Sequence, residues 1–293
     1  MEVSDDTERA YRVLVSEVML QQTQVERVKE TFVRFLHAFP TLRDLASASN
    51  KEVILAWRGM GYNSRALRLR DAARMVVERQ GGVFPREQAA LRAIKGIGDY
   101  TASAILNFAF NIPAPCLDTN IRRILHRTFV GPENPDGTWR RDDRYLLKLA
   151  GEVLEAALRP HPRDARNWHA ALMDFGSLVQ TKTQPQWDAC PLTARGLMKT
   201  TAKNFPKHRV RSVSSEPGRV IDGRFIPNRI IRGRIVEALR DAPRGLPLPE
   251  LGAHVCADWS LRAHQRWLRE ILDGLRRDAL IRKTRDVFAL ADG

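Results

Sequence analysis

Apolar positions in the first two-thirds of the chain recur at three- and four-residue intervals, in short runs broken by glycine, proline and cap residues. Val13, Leu14, Val18, Met19 and Leu20 outline a first helix. Thr23 with Glu26 has the spacing of a capping box and predicts a second helix, striped by Val25, Val28, Phe32 and Phe35 and stopped at Phe39-Pro40. Ser49 with Glu52 predicts another, ending near Gly59. Ser64 opens "SRALRLRDAARMVVERQGG", which Gly81-Gly82 closes. A helix near 87–94 runs into Gly96 and Gly98, "DYTASAILNFAF" follows, and Asp118 opens "NIRRILHRTF". Two further helices cover roughly 143–158 and 165–179. Nothing here alternates as a strand does, so this part reads as all-α.

Residues 201–228 are basic and carry Pro206, Pro217, Pro227 and several serines, a linker composition. Beyond them "RIIRGRIVEALRDA", "LPLPELGAHV" and "LRAHQRWLREILDGLRRD" read as three helices, and "LIRKTRDVFAL" as two short strands about a polar turn. That is the pattern of a winged helix. The expected organisation is a helical domain over 1–200, a linker over 201–228 and a small winged-helix-like α+β module over 229–293.

Charge narrows the function. The chain of 293 residues has a formal net charge of +14, and arginine dominates the basic set. That balance favours a polyanionic partner, nucleic acid first, with an inert basic surface as the plainer reading. No run approaches the ~20 apolar residues of a membrane helix. The start, "MEVSDDTERA", lacks the apolar core of a secretory signal, so an intracellular protein with no membrane partner is expected. Cys116, Cys190 and Cys256 lie far apart and the histidines are scattered, which predicts neither a disulfide framework nor a protein metal site.

Three features could carry chemistry. "IKGIGDYTASAIL", 94–106, joins two helices through Gly-Ile-Gly; backbone N–H groups at Gly96, Gly98 and the helix start near Thr101 can grip a phosphate without reading sequence. Such a turn alone is weak evidence, but between amphipathic helices in a basic chain it reads as a helix-hairpin-helix. Asp118 precedes a helix, where an aspartate is ordinarily an N-cap. Glu17 sits in the apolar run "VSEVML", where a carboxylate is costly unless paired, protonated or used.

Taken together, "SEVMLQQTQVE", "RGMGYNSRA", "IKGIGDYTASAIL", "LDTNIRRIL" and "ALMDFGS" resemble, in this order and spacing, the helix-hairpin-helix DNA glycosylases, and within them the MutY-type adenine glycosylases. The resemblance covers about residues 10–200. It implies two helical subdomains with a cleft, and excision of adenine mispaired with 8-oxoguanine or guanine in double-stranded DNA by base flipping. Glu17 is then the general acid that protonates the adenine, a role that a carboxyl among Val13, Leu14, Val18 and Leu20 suits because apolar surroundings raise its pKa. Asp118 stabilises the developing oxocarbenium charge, and Asn120 braces it. Tyr100 stands where bifunctional relatives carry a Schiff-base lysine, so strand cleavage is not expected. Gln22 and Tyr62 match residues that wedge into the duplex, with Leu20 and Gln21 lining the same surface. Arg65 and Arg68 are expected on the phosphate face, and Lys95, where the family has proline, as a phosphate contact.

The sequence departs from the family in several places. Most members hold a [4Fe–4S] cluster on four cysteines; the matching positions are Gln180, Trp187, Cys190 and Gly196, so no cluster is expected. The family's Pro-Trp-Arg stretch ahead of "SEVMLQQT" has no counterpart, and Asn63 replaces a common second tyrosine. The last third does not resemble the family's 8-oxoguanine-reading domain; its third helix, with Arg262, Arg266, Arg269, Arg276 and Arg277, could instead enter a groove. Two other readings stay open: a thymine glycosylase on T·G pairs, whose branch has "LRRT" rather than "LQQT", and a non-catalytic DNA-binding protein. The resemblance implies a monomer in a bacterial or archaeal cytoplasm, at the nucleoid.

Overall fold

The computed structural model describes residues 6–160, 162, 164–206 and 216–292, and helices dominate it. Helix α1 (Asp6–Leu20) is followed by α2 (Val25–Ala38), which buries Val28, Thr31 and Phe35. The capping box expected at Thr23 and Glu26 does not form. Gln24 holds the N-cap without a side-chain bond, because the Thr23 hydroxyl donates to the Gln21 carbonyl and accepts from Arg65. Two short helices, α3 (Leu42–Ser47) and α4 (Asn50–Ala56), do begin with complete capping boxes, Thr41–Asp44 and Ser49–Glu52; only the second was read from the sequence. Bonds from Ser49 hold the Glu52 carboxyl below its ordinary pKa. Helix α5 (Ser64–Gln80) ends, as expected, where Gly81 adopts φ +64°.

Helix α6 (Gln88–Arg92) and helix α7 (Asp99–Ala104) flank the Gly96–Gly98 turn. Then come α8 (Thr119–Leu125), α9 (Asp143–Leu158), α10 (Ala165–Asp174) and the single turn α11 (Pro191–Ala194). Three of these helices, α7, α8 and α10, run on as widened π turns, through Ala109, Val130 and Val179. Each turn closes five residues back: Phe110 N on Ile105 O, Gly131 N on His126 O, Gln180 N on Phe175 O.

The last part of the chain contains strands β1 (Gly218–Ile221) and β2 (Arg224–Pro227), α12 (Asn228–Arg240), β3 (Leu246–Pro247), α13 (Leu248–Val255), α14 (Leu261–Arg277), β4 (Ile281–Thr284) and β5 (Val287–Leu290). β3, β5 and β4 form an antiparallel sheet in that order, and Leu268, Ile271, Leu272 and Leu275 of α14 lie buried in the module's core. The winged-helix pattern is present. The linker reading needs correction at its end: residues 218–227 pair as a hairpin whose Asp222-Gly223 turn has φ of +47° and +74°. Its cross-strand pair Val220 and Phe225 points to solvent, which hid it from an apolar-periodicity reading. Residues 207–215 of that linker lie outside the described residues.

The compact units do not follow chain order. One comprises the described residues of 84–212 with those of 1–13; the other joins 14–83 to 213–293. In the second unit, Trp57 is fully buried, meets Phe35 edge-on at 5.6 Å and donates from Nε1 to Gly61 O at 3.1 Å. The winged-helix module is fastened there by polar bonds. Buried Arg240 donates to Ile54 O at 2.8 and 3.1 Å and to Asn63 Oδ1 at 2.9 Å. Asn50 Nδ2 donates to Ala279 O at 2.8 Å, and Arg58 pairs with Asp241.

Candidate active site

In the unit formed by 14–83 and 213–293, Glu17 lies half-buried in the last turn of α1. The chain then turns outward through Leu20, Gln21 and Gln22, all exposed, with Gln22 at φ +57°. A second corner carries Tyr62 at φ +44°, its side chain 48% exposed. Left-handed backbone at two residues that are not glycine is uncommon and persists only where surrounding bonds enforce it. Arg65 supplies them. Its guanidinium donates to Val18 O at 3.0 Å, to Gln21 O, to Thr23 Oγ1 at 3.1 Å and to Met60 O at 3.3 Å. It also lies 5.4 Å from the Tyr62 ring and 5.7 Å from Trp57.

This corrects the expectation for Arg65. It is 6% exposed and binds the carbonyl end of α1, where a helix leaves acceptors unpaired and favours a cation. Burial lowers its pKa from the ordinary arginine value, with Tyr62 opposing. Arg68, by contrast, is exposed, with its guanidinium on Ser64 Oγ at 3.2 Å. The structure thus brings Glu17, Leu20, Gln21, Gln22 and Tyr62 onto two adjoining turns pinned by one buried guanidinium.

In the other unit the hairpin takes the expected form. Lys95, Gly96 and Gly98 are exposed, Gly96 has φ +100°, and Gly98 caps α7 with open space where a Cβ would stand. Gln88 Nε2 donates to Ser103 Oγ, which donates to Pro115 O, so α6, α7 and the strand-like approach to α8 are tied together. Thr101 does not lie on this surface: it is 4% exposed, on the inner face of α7. Tyr100 is half-buried and packs on the cluster of Ile121, Leu125, Leu146 and Ala150, beside the helix that Asp118 opens.

Asp118 is the N-cap of α8, with Oδ1 accepting from Ile121 N at 2.6 Å and Oδ2 outside the cap. Asn120 Oδ1 accepts from Arg123 Nη2 at 2.6 Å. Buried Arg123, which the sequence reading missed, also donates to Gly176 O at 2.6 Å and to the carbonyls of Gln180 and Thr119. Burial lowers its pKa and Arg127 adds to this, while Asp118 and Glu133 oppose. Gly176 was quoted only as part of "ALMDFGS"; a Cβ there would lie 2.5 Å from Asn120 Cβ. The close approach of α10's extension to α8 requires that glycine.

The residues at the family's cluster positions do not fit a four-iron cluster. Gln180 is fully buried, its Oε1 accepting from Arg127 at 3.3 Å and its Nε2 donating to Cys190 Sγ at 3.4 Å. Trp187 meets Phe205 edge-on at 5.6 Å, and Arg127, fully buried and paired with Glu133 at 2.8 Å, lies 4.9 Å from the same Phe205 ring. An amide, an indole and a glycine offer no thiolates, and Cys190 alone cannot ligate a cluster.

A glycine-turn hairpin followed by a helix-capping aspartate defines the class: residues 15–143 match the model of the HhH-GPD superfamily of base excision DNA repair proteins. The adenine DNA glycosylase of Mycolicibacterium smegmatis is 34% identical over 96% of this chain and 88% of its own length. The human adenine DNA glycosylase is 40% identical over 63% of this chain, which spans 32% of that longer protein. Among solved structures, a thermostable thymine-DNA glycosylase superposes with a TM-score of 0.55 at 26% identity, over 65% of this chain and 83% of that one. An endonuclease III–DNA covalent intermediate gives 0.52 at 22%, over 65% and 84%, a likeness of fold. The chain belongs to the adenine DNA glycosylase family of helix-hairpin-helix base-excision repair enzymes.

Proposed function

We propose that the chain binds duplex DNA and hydrolyses the N-glycosidic bond of adenine opposite 8-oxoguanine or guanine, without cutting the strand. Glu17 donates a proton to the extruded adenine, which turns it into a neutral leaving group. Asp118, its Oδ1 fixed by Ile121 N–H, offers Oδ2 to the developing sugar cation and guides water to it. Gln22 and Tyr62 fill the gap in the base stack, and Tyr100 has no amine with which to form a Schiff base. No iron–sulfur cluster takes part; the Arg127–Gln180–Cys190 contacts serve the loop in its stead.

The observation that carries this reading is Glu17, half-buried in the last turn of α1 directly before the Gln22 corner. A DNA-binding module without catalysis needs no carboxyl at that point. The similarity to a thymine-DNA glycosylase structure keeps T·G duplexes in the test. Duplexes with A·8-oxoguanine, A·G, T·G and A·T are incubated with the protein and then treated with hot alkali. Alkali-dependent cleavage at adenine opposite the two purines, lost in Glu17→Gln, is the expected result. Release of thymine alone, or cleavage without alkali, would overturn the proposal.

A further inference from the structure

A groove of about 820 Å³ runs between α12 and the two corners that carry Gln22 and Tyr62, all within one compact unit. Its volume falls in the range of about 300–1,000 Å³ usual for ligand sites. One wall holds Gln22, Gln24, Arg27 and Tyr62; the other holds Arg229, Arg232 and Arg234 of α12. Four arginines face two carboxylates, Glu237 and Asp241. Both of those are answered by guanidiniums that do not line the groove: Asp241 by Arg58, and Glu237 by Arg240 with Arg58 farther off. On the cationic side Arg232 is paired with Asp278 and Arg229 with Glu216, which leaves Arg27 and Arg234 without a carboxylate partner among the described residues and gives the open groove a net positive charge.

Three of the four arginines are available for exchange, Arg232 being half-buried and held by Asp278. Arg27, Arg229 and Arg234 are exposed, Arg234 with Nη1 donating to Val255 O at 3.1 Å and its other nitrogens open to a ligand. Arg229 pairs with Glu216 at 2.8 Å in an exposed ion pair, a kind worth about 0–1 kcal/mol, so a phosphate can replace the carboxylate without stranding a buried charge. Arginine's planar fork also suits phosphate oxygens. The bond to Glu216 raises the Arg229 pKa above the ordinary arginine value, and Tyr62 across the groove adds a lesser contribution. The walls are fixed before any ligand arrives, because Arg240 joins α12 to the turn that bears Asn63.

We infer that this groove is a second DNA-binding site, in which α12 of the C-terminal module holds backbone phosphates beside the wedge, independently of the base opposite the excised one. The inference rests on the wedge assignment of Gln22 and Tyr62 in the proposed function. The occupant is a DNA backbone rather than a base because its charged donors are arginines on an open rim, and none of them is buried and aimed at a base edge.

The test measures affinity of the full chain for uncleavable duplexes carrying a reduced abasic site opposite 8-oxoguanine, guanine or thymine, over a range of salt concentrations. Arg229→Ala with Arg234→Ala is expected to weaken binding about tenfold for all three, and to flatten the dependence of log affinity on log salt by about two units for two lost phosphate contacts. Arg229→Lys with Arg234→Lys should retain the wild-type slope, and Arg159→Ala, an exposed arginine at the end of α9 and outside the groove, should retain wild-type binding. Unchanged affinity and slope in the alanine pair, an equal loss in Arg159→Ala, or a loss confined to one opposite base would each overturn the inference. Because nothing is cleaved in this assay, a wild-type protein that fails to excise adenine would defeat the catalytic reading and leave this measurement decisive.

Discussion

Arg240 Nη2 donates to Asn63 Oδ1 at 2.9 Å while the same guanidinium holds the Ile54 carbonyl. One side chain from the winged-helix module therefore grips both α4 and the turn next to Tyr62. Burial lowers its pKa, with Glu237 the main opposing charge. Arg240→Met removes every one of these bonds and leaves the Ile54 carbonyl unsatisfied. The expected cost is about 2–4 kcal/mol in urea unfolding, given about 1.5–3 kcal/mol for a bond to a charged group. A change below about 0.5 kcal/mol, the level of an ordinary surface substitution, would refute the anchoring role.

Arg65 is expected to govern excision without touching DNA. Arg65→Lys keeps the charge but cannot fork to Val18, Gln21, Thr23 and Met60 together. Single-turnover adenine release should fall at least tenfold as Gln22 and Tyr62 lose their enforced left-handed backbone. If Arg65 instead contacted phosphate, the lysine variant would keep its rate and show only a modest change in affinity.

Gly176→Ala tests the seating of Asp118. A methyl group there meets Asn120 at 2.5 Å from its Cβ and 3.2 Å from its Cα, so α8 must move. A displacement near 1 Å at a catalytic group can cost about a hundredfold in rate. The release rate should therefore drop by more than tenfold. Gly233→Ala, in α12 with nothing within 4 Å of the added carbon, should leave the protein as stable as before or up to about 1 kcal/mol more stable.

Two buried histidines set an acid limit on stability. His126 donates from Nδ1 to Gly131 O and accepts from Arg140 N on Nε2; His169 donates from Nδ1 to Ala165 O and accepts from Asn107 Nδ2 on Nε2. A second proton would face an N–H donor in both cases, and burial depresses both pKa values. With folded values below the unfolded value of about 6.5, the unfolded chain takes up protons first as pH falls. Stability should be full above about pH 6.5 and decline below it, by up to about 1.4 kcal/mol per pH unit for each histidine. Urea midpoints at pH 7.5 and 5.5 measure this, and His169→Gln should flatten the decline. An unchanged slope in that variant would exclude His169 as a source.

The loop at Gln180 and Cys190 is expected to need no metal. Purified protein should contain far less than one iron per chain, and prolonged chelation should shift neither the urea midpoint nor the rate of adenine release. A stoichiometric iron content with a visible chromophore would contradict the polar replacement described above.

The sequence by itself determined what is local. The Ser49–Glu52 capping box, the glycine that ends α5, the Gly96–Gly98 turn and the Asp118 cap depend on neighbours a few residues away, so spacing revealed them. It also pointed to Glu17, since a carboxylate amid apolar residues needs a reason at any fold. The tertiary structure decided the fate of the buried cations. The sequence puts Arg65 on the phosphate face and assigns no role to Arg123, Arg127 and Arg240, yet each is buried, and Arg240 reaches a carbonyl 186 residues away. An arginine's place is set by which distant backbone acceptors the packing leaves unsatisfied, and no local pattern encodes that. The same cause diverted Thr23 from its expected cap onto Arg65 and hid the Gly176 contact and the groove beside α12, which exist only once remote segments meet.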